Sequence, residues 1–368
     1  MIVGILFGGS SVEHDISILS AIQVMKAIDN DKYKAIPLYL TKDAHLLTGE
    51  RFKKLETFKH ILNVKKGELV NIIRKDNQSY LSYTFKKFKK ELKIDLILPI
   101  MHGKGVEDGN ISGYLEILKI PCATSKVLGA SIAQDKEMTK IILEKLNINF
   151  VPYEIYMNKD YGLSKMNYPL IIKPSKLGSS IGIQKVTNDE EYYKAMSNAF
   201  KYDKKVIVEK CLSDFKEYSV ACYEKKEELI ISDIEEIKLT HDIYCFTDKY
   251  QNGDKCETNN HTLPASISKD LKKRIEEMVY NIYRKFELSG VVRIDFLYDN
   301  NENKLYVNEI NTIPGSLAYY LFEKKGISFS DLINDLIKQT LINEVKEKEY
   351  LRSFESSILV NNNLKTKK

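Results

Sequence analysis

Apolar and polar positions along the chain follow two rhythms, and the switches between them outline its elements. Residues 2–7 are a continuous apolar run, followed by the Gly8-Gly9-Ser10-Ser11 turn and a helical repeat from Ile16 to Ile28. This predicts strand, glycine turn and helix. A strand at about 34–41 and another at Ile94-Asp95-Leu96-Ile97-Leu98-Pro99-Ile100-Met101, with helical periodicity before Pro121, make the N-terminal part alternate as an open α/β sheet does. Residues 43–93 are Lys-rich and follow neither rhythm. Helical spacing returns from Gly129 to Leu146. Beyond it come a strand over 168–174, the turn Ser175-Lys176-Leu177-Gly178-Ser179-Ser180-Ile181-Gly182, a strand carrying Ile183 and Val186, a helix at 189–201 and a strand at 206–209. Strands at 217–223 and 229–237, a polar loop at 238–262, a helix at 268–287, strands at 290–298 and 304–311, a helix at about 328–345 and a polar tail complete the chain.

The two strands at 290–298 and 304–311 flank the polar turn Asp299-Asn300-Asn301-Glu302-Asn303 and concentrate the chemistry. Alternation puts Arg293 and Asp295 on one face of the first strand and Glu309 and Asn311 on one face of the second. A turn centred on Glu302 with an odd number of residues sets Asp295 opposite Glu309 and Arg293 opposite Asn311. Two carboxylates and an amide oxygen with no soft ligand suit a hard ion such as Mg²⁺. A solvated hairpin is the plainer reading of such charges. The Val, Ile and Phe neighbours speak against it, because burying carboxylates without a cation is costly.

A length of 368 residues suggests two or three domains. With 43% hydrophobic and 29% charged residues, the composition is that of a folded soluble protein, and no apolar run is long enough to span a membrane. The N-terminus reads as strand and turn rather than signal peptide, so the expected location is the cytoplasm. Net charge is +5 from 56 basic and 51 acidic residues, which does not call for a nucleic-acid partner. Five cysteines without CxxC spacing argue against a disulfide framework and against zinc.

Three further constellations carry chemistry. Lys173 ends a strand before the Gly178–Gly182 turn, so a point charge and curled backbone amides can face phosphate oxygens; the turn fits neither the GxxxxGK[ST] loop nor the dinucleotide fingerprint. Glu209-Lys210-Cys211-Leu212 ends an apolar strand and can offer backbone groups to an adenine edge, with Glu217 near a ribose. Met101-His102-Gly103-Lys104-Gly105-Val106-Glu107-Asp108-Gly109 follows a buried strand at the edge where open sheets bind ligands, and Glu13 has the same advantage after the first glycine turn. Taken singly, each has a structural reading: a connecting turn, a surface loop, a packed histidine.

In order along the chain, these pieces resemble the D-alanine–D-alanine ligase family of ATP-grasp enzymes, nearly throughout to about residue 345. The match rests on Gly8-Gly9-Ser10-Ser11-Val12-Glu13-His14-Asp15-Ile16-Ser17, His102-Gly103-Lys104-Gly105-Val106-Glu107-Asp108-Gly109, Asp135-Lys136, Ile172-Lys173-Pro174-Ser175 with Gly178-Ser179-Ser180, Asp248-Lys249-Tyr250, and Arg293-Ile294-Asp295 with Asn308-Glu309-Ile310-Asn311-Thr312-Ile313-Pro314-Gly315. The resemblance implies an α/β and α+β architecture, an ATP-grasp fold behind an N-terminal open α/β domain. It divides the chain at 1–124, 125–212 and 213–345, with a lid loop at 238–262 and a polar tail at 346–368.

The resemblance also implies roles. Lys136, Lys173 and Ser180 would hold ATP phosphates, Glu209 and Leu212 the adenine, and Glu217 the ribose. Asp295, Glu309 and Asn311 would hold two Mg²⁺ ions, with Mn²⁺ as a substitute. The first D-alanine becomes an acyl phosphate, which the amine of the second attacks. Glu13 would bind the first substrate's ammonium beside His102, and Arg293 with the Gly315 amide would hold the oxygen of the tetrahedral intermediate. Lys249 and Tyr250 belong to the closing loop, with Tyr250 linked to Glu13 and Ser179. The tyrosine favours an amine acceptor, D-alanine by default and D-serine as the alternative. A homodimer is the expected assembly.

One departure concerns the acceptor. The family continues several residues past Pro-Gly to a Ser-Leu pair that helps Lys249 bind the acceptor carboxylate, whereas here Ser316-Leu317 follows Gly315 at once. Either Ser316 takes that role after a deletion or Tyr320 occupies its place. Another acceptor within the superfamily, and a regulatory module that has lost catalysis, are the competing readings. The presence of Arg293, Asp295, Glu309 and Asn311 speaks against the second.

Overall fold

The computed structural model describes residues 1–85, 90–157, 161–238 and 261–351. Three sheets follow one another along the chain. In the first, β1 (Ile2–Gly8) lies between β2 (Lys34–Leu40) and β7 (Leu96–Pro99), all parallel, with α1 (His14–Ala27) as the crossover from β1. The stretch 43–93 that resists periodic reading extends this sheet in antiparallel fashion through β3 (Leu46–Thr48), β4 (Glu68–Lys75), β5 (Gln78–Tyr83) and β6 (Leu92–Ile94), with the single turn α2 (Ile61–Val64) between. The strand expected over 94–101 is divided at Asp95, whose carboxylate accepts the Ile2 amide at 2.7 Å.

Helices α3 (Asn110–Ile117), α4 (Val127–Gln134) and α5 (Lys136–Lys145) follow. The expected helix over 129–146 is two helices, because Asp135 leaves helical geometry (φ −91°, ψ 105°) and caps α5 by accepting the Glu137 and Met138 amides. The second sheet is antiparallel in the order β10-β9-β11-β8, from β8 (Tyr153–Tyr156), β9 (Leu170–Pro174), β10 (Gln184–Val186) and β11 (Val206–Lys210), and α6 (Asp189–Ala199) packs on it.

The third sheet has the order β14-β13-β12-β15-β16: β12 (Phe215–Lys225), β13 (Glu228–Ile237), β14 (His261–Thr262), β15 (Val292–Asp299) and β16 (Lys304–Asn311). Helix α7 (Lys269–Lys285) covers it with Leu271, Ile275, Val279, Ile282 and Tyr283, a run at helical spacing that is buried while most of the rest of the helix is polar. Ser268 caps α7 through the Leu271 amide at 3.1 Å, a contact of about 1 kcal/mol. After the short α8 (Tyr320–Glu323), α9 (Phe329–Glu347) starts with a Ser328–Asp331 capping box and packs Leu332, Ile333, Leu336 and Ile337 into the core shared with β1 and α1.

Candidate active site

The β15–β16 hairpin produces the pairing expected from alternation, by a different local route. Asp295 faces Glu309 and Arg293 faces Asn311. The connection, however, is the four residues 300–303, and the register changes by one between Asp295 and Phe296, where Asn308 is the extra residue. Such a bulge re-aims neighbouring side chains, and Asn308 and Glu309 both line the cleft against the second sheet. Pairing then continues across the third sheet, from Glu309 to Asp295 to Ser219 to Glu235. Directly paired residues share a face, so one row of side chains runs across four strands.

Two cavities meet at this row and share Gly178, Glu217, Asp295 and Glu309. The first, about 120 Å³, lies between the second and third sheets and gathers Lys136, Lys173, Ser180, Glu209, Leu212 and Glu217, the set expected around a nucleotide. Its cations are already paired. Lys136 Nζ lies 3.0 Å from Glu309 Oε1, and Lys173 Nζ lies 2.6 Å from Glu209 Oε2. Lys140, which the sequence reading passed over, sits 2.9 Å from Glu209 Oε1. Its position four residues after Lys136 on α5, hence on the same face, was the available signal. Burial alone would raise the Glu209 carboxyl, but the ammonium groups of Lys140 and Lys173 outweigh it and hold the group down at about 2. Burial lowers Lys140, with Glu209 opposing.

The second cavity, about 410 Å³, is lined by Glu13, His102, Glu107, Ser179, Arg293, Asn311, Gly315, Ser316 and Tyr320 among others. Ser179, held at φ +55°, donates to Glu13. Gly103 packs so closely here that a Cβ on it would lie 2.3 Å from Ser11 Oγ and 2.9 Å from Glu13 Oε2, and its φ of +76° suits glycine. His102 Nδ1 lies 2.8 Å from the Ile313 carbonyl. Burial, helped by Arg293, pushes the imidazole down to about 4. It is therefore neutral near pH 7, with its proton on Nδ1 toward that carbonyl. Glu107 accepts the Gly103 amide at 2.6 Å and is pushed up to about 8 by burial, then by the Glu13 carboxylate.

Arg293 and Asp295 interact directly. Nε and Nη2 of Arg293 each lie 2.8 Å from one Asp295 oxygen, and Ser219 (2.8 Å) and Asn311 (3.0 Å) donate to the same carboxylate. Among the described residues no group of three or more His, Cys, Asp or Glu side chains is gathered as a metal-ligand set. The candidate set is two carboxylates and an amide, all hard donors, and the two carboxylates now hold Arg293 and Lys136. Carboxylates that attract cations in this way fit a hard divalent ion.

After Gly315 the chain forms a left-handed turn: Ser316, Leu317 and Ala318 have φ of 48°, 56° and 48°. Each such residue costs about 1–2 kcal/mol, offset by burial of Leu317 and Ala318 and by the Ser316 amide donating to Ser20 Oγ at 3.0 Å. The Ser316 hydroxyl donates to Gln23 of α1, and the Tyr320 hydroxyl donates to Glu235 at 2.8 Å. Lys249, Tyr250 and the body of the expected lid lie outside the described residues.

The chain matches the family model "D-ala D-ala ligase N-terminus" over residues 2–125 and "D-ala D-ala ligase C-terminus" over 142–338. It is 37% identical to a D-alanine–D-alanine ligase of Thermosipho melanesiensis over 97% of this chain and 98% of the relative, and 39% identical to that of Thermosipho africanus over 91% and 92%. Among solved structures, the Helicobacter pylori D-alanine–D-alanine ligase superposes with a TM-score of 0.73 at 28% identity, covering 91% of this chain and 98% of that one. The VanG D-Ala:D-Ser ligase of Enterococcus faecalis superposes with a TM-score of 0.76 at 27% identity, covering 92% and 99%. With both family models and near-full-length relatives matched, and with the site residues gathered around two joined cavities, the chain belongs to the D-alanine–D-alanine ligase family.

Proposed function

We propose that this chain, an ATP-dependent ligase by family, joins two D-alanine molecules into D-alanyl-D-alanine for peptidoglycan precursors by way of an acyl phosphate. The observation that carries the reading is the junction of the two cavities at Asp295 and Glu309. One side offers the paired lysines of a phosphate cradle, and the other offers Glu13, Ser179, Arg293 and Gly315.

In the first step Lys136, Lys173 and Ser180 hold the phosphates, Glu209 and Leu212 the adenine, and Glu217 the ribose, while Glu13, oriented by Ser179, holds the ammonium of the first D-alanine. Neutral His102 packs beside that substrate without adding charge. Asp295, Glu309 and Asn311 are the residues that would hold Mg²⁺, or Mn²⁺ in its place, and the ions would neutralise charge on the transferring phosphoryl group. In the second step Arg293 exchanges part of its hold on Asp295 for the growing negative charge on the carbonyl oxygen, and the Gly315 amide shares that charge. Ser316, Tyr320 and Lys249 belong to the acceptor side.

The division at 1–124, 125–212 and 213–345, a homodimer and a cytoplasmic location belong to the same reading. No helix among the described residues is long and apolar enough to cross a membrane. D-serine is the second acceptor reading, favoured by the likeness to a D-Ala:D-Ser ligase. Phosphate release across a panel of D- and L-amino acids, with mass spectrometry of the dipeptide, tests the activity and the acceptor. Dependence on D-alanine and formation of D-alanyl-D-alanine are expected, and turnover only with other amino acids refutes the assignment.

A further inference from the structure

The row of paired residues across the third sheet continues beyond the phosphate end to a buried carboxylate that the reading above leaves unused. Glu235 is paired in register with Ser219, which is paired with Asp295. Two strand spacings place it roughly 10 Å along the sheet from Asp295. Its side chain is only 5% exposed. One oxygen takes the Tyr320 hydroxyl at 2.8 Å and the other lies 3.1 Å from His261 Nδ1. All three residues line the same cavity as Arg293, Gly315 and Ser316.

A carboxylate that holds Nδ1–H of a histidine fixes the ring's tautomer and turns Nε2 into the proton-accepting atom. The acceptor amino acid enters as an ammonium and has no lone pair for attack until a proton leaves. We propose that His261, positioned by Glu235, is the base that removes this proton, with Tyr320 holding the other Glu235 oxygen in place; this rests on the acyl-phosphate reading. An N–H bond of the ammonium breaks and its proton passes to His261 Nε2. The freed lone pair forms the N–C bond to the acyl carbon. The C–O bond to phosphate then breaks, its electron pair leaves with the phosphate, and a second amine proton departs on that phosphate. The His261 side chain is 39% exposed, so its proton has a route to solvent.

The groups facing His261 favour this use. Glu235 on β13 and Glu217 on β12 raise its basicity, the hydrogen bond donated to Glu235 contributing most and partial burial opposing. Among the described residues, Tyr320 on α8 and Arg293 and Asp295 on β15 line the same cavity. Burial, then the Glu235 carboxylate, keep the Tyr320 phenol protonated far above neutral pH, so it donates and does not compete for the proton.

The test compares two nucleophiles on the full-length enzyme with ATP, Mg²⁺ and D-alanine. Hydroxylamine is uncharged at neutral pH and traps an acyl phosphate as hydroxamate without prior deprotonation, whereas D-alanine must lose its proton first. His261→Gln should lower the dipeptide rate by about 100-fold or more, the scale of general-base catalysis, while hydroxamate formation stays within about twofold. It should also remove the acid limb of the kcat profile, which in the wild type falls as His261 becomes protonated. Glu235→Gln should shift that limb to lower pH. An unchanged dipeptide rate in His261→Gln, or dipeptide and hydroxamate rates that fall in step, overturns the proposal. If Glu235→Gln does not fold, the more exposed His261→Gln decides alone. A wild-type enzyme that yields dipeptide but no hydroxamate would instead refute the acyl phosphate, and the base with it.

Discussion

Glu209→Gln is the substitution whose cost follows most directly from the geometry. The Glu209 carboxylate lies between the ammonium groups of Lys140 and Lys173 at 2.9 and 2.6 Å, and all three side chains are at most 6% exposed. A carboxyl held at about 2 instead of 4.5 contributes roughly 3 kcal/mol to stability at neutral pH. Removing one partner of a buried ion pair costs about 3–5 kcal/mol by the independent argument that the other charge is left uncompensated. The two estimates agree in size. The sign with pH follows from the depressed value: the contribution is complete above about pH 4.5, falls by about 1.4 kcal/mol for each pH unit below that, and is gone near pH 2. Urea unfolding of wild type and variant at about pH 7, 5.5, 4 and 3 should show a gap of about 3 kcal/mol that is flat across the first two and narrows across the last two. A gap under about 1 kcal/mol at pH 7, or one that does not narrow on acidification, refutes the view that Glu209 is the counter-charge of this buried cluster.

Three further outcomes are expected. Glu309→Gln should abolish Mg²⁺-dependent turnover while leaving thermal unfolding little changed, because a neutral amide cannot offset a metal bound to triphosphate; near wild-type turnover would place the ion elsewhere. Arg293→Lys should slow turnover by about 100-fold while changing ATP affinity little, because lysine keeps the charge but loses the fork seen on Asp295; ATP binding that weakens in step with rate would contradict the oxyanion role. Ser316→Ala should raise KM for the second substrate with little effect on the first, a loss of about 1.5–3 kcal/mol for one charge-assisted hydrogen bond, and Tyr320→Phe should raise that KM less; the reverse ranking would assign acceptor binding to Tyr320.

Long-range order was legible in this sequence where it followed a single rhythm. The helix and strand runs at 189–201, 206–209, 268–287 and 328–345 are close to those observed because each buries one continuous face. Residues 43–93 were not legible, since β3 and β6 have only three residues each and β4 and β5 are mostly half-buried, so their alternation is weak. A single aspartate divides an element twice, Asp95 by taking the Ile2 amide and Asp135 by capping α5, and neither disturbs the hydrophobic pattern around it. The Asp295–Glu309 pairing was reached by assuming an odd turn. The protein instead uses an even turn with a bulge at Asn308, and pattern alone cannot distinguish these because both end in the same alternation. Lys140 and Glu235 lie on apolar elements outside the motifs and His261 at the end of the polar 238–262 loop, and only cross-strand register or helical spacing connects them to the motifs.

The charges of the site are paired with one another. Lys136 leans on Glu309, Lys173 on Glu209 and Arg293 on Asp295, so in the proposed reading binding is an exchange of partners. In the proposed reading, a nucleotide that draws Lys136 to its phosphates takes it from Glu309, and a divalent ion that takes Glu309 would release Lys136 to find an anion. Each ligand thus relieves the cost that the other creates. By linkage, metal would then tighten nucleotide binding by the same factor by which nucleotide tightens metal binding. The empty enzyme should therefore hold either one weakly and the two together well, a property that calorimetry of each ligand in the presence and absence of the other would express as a single coupling constant.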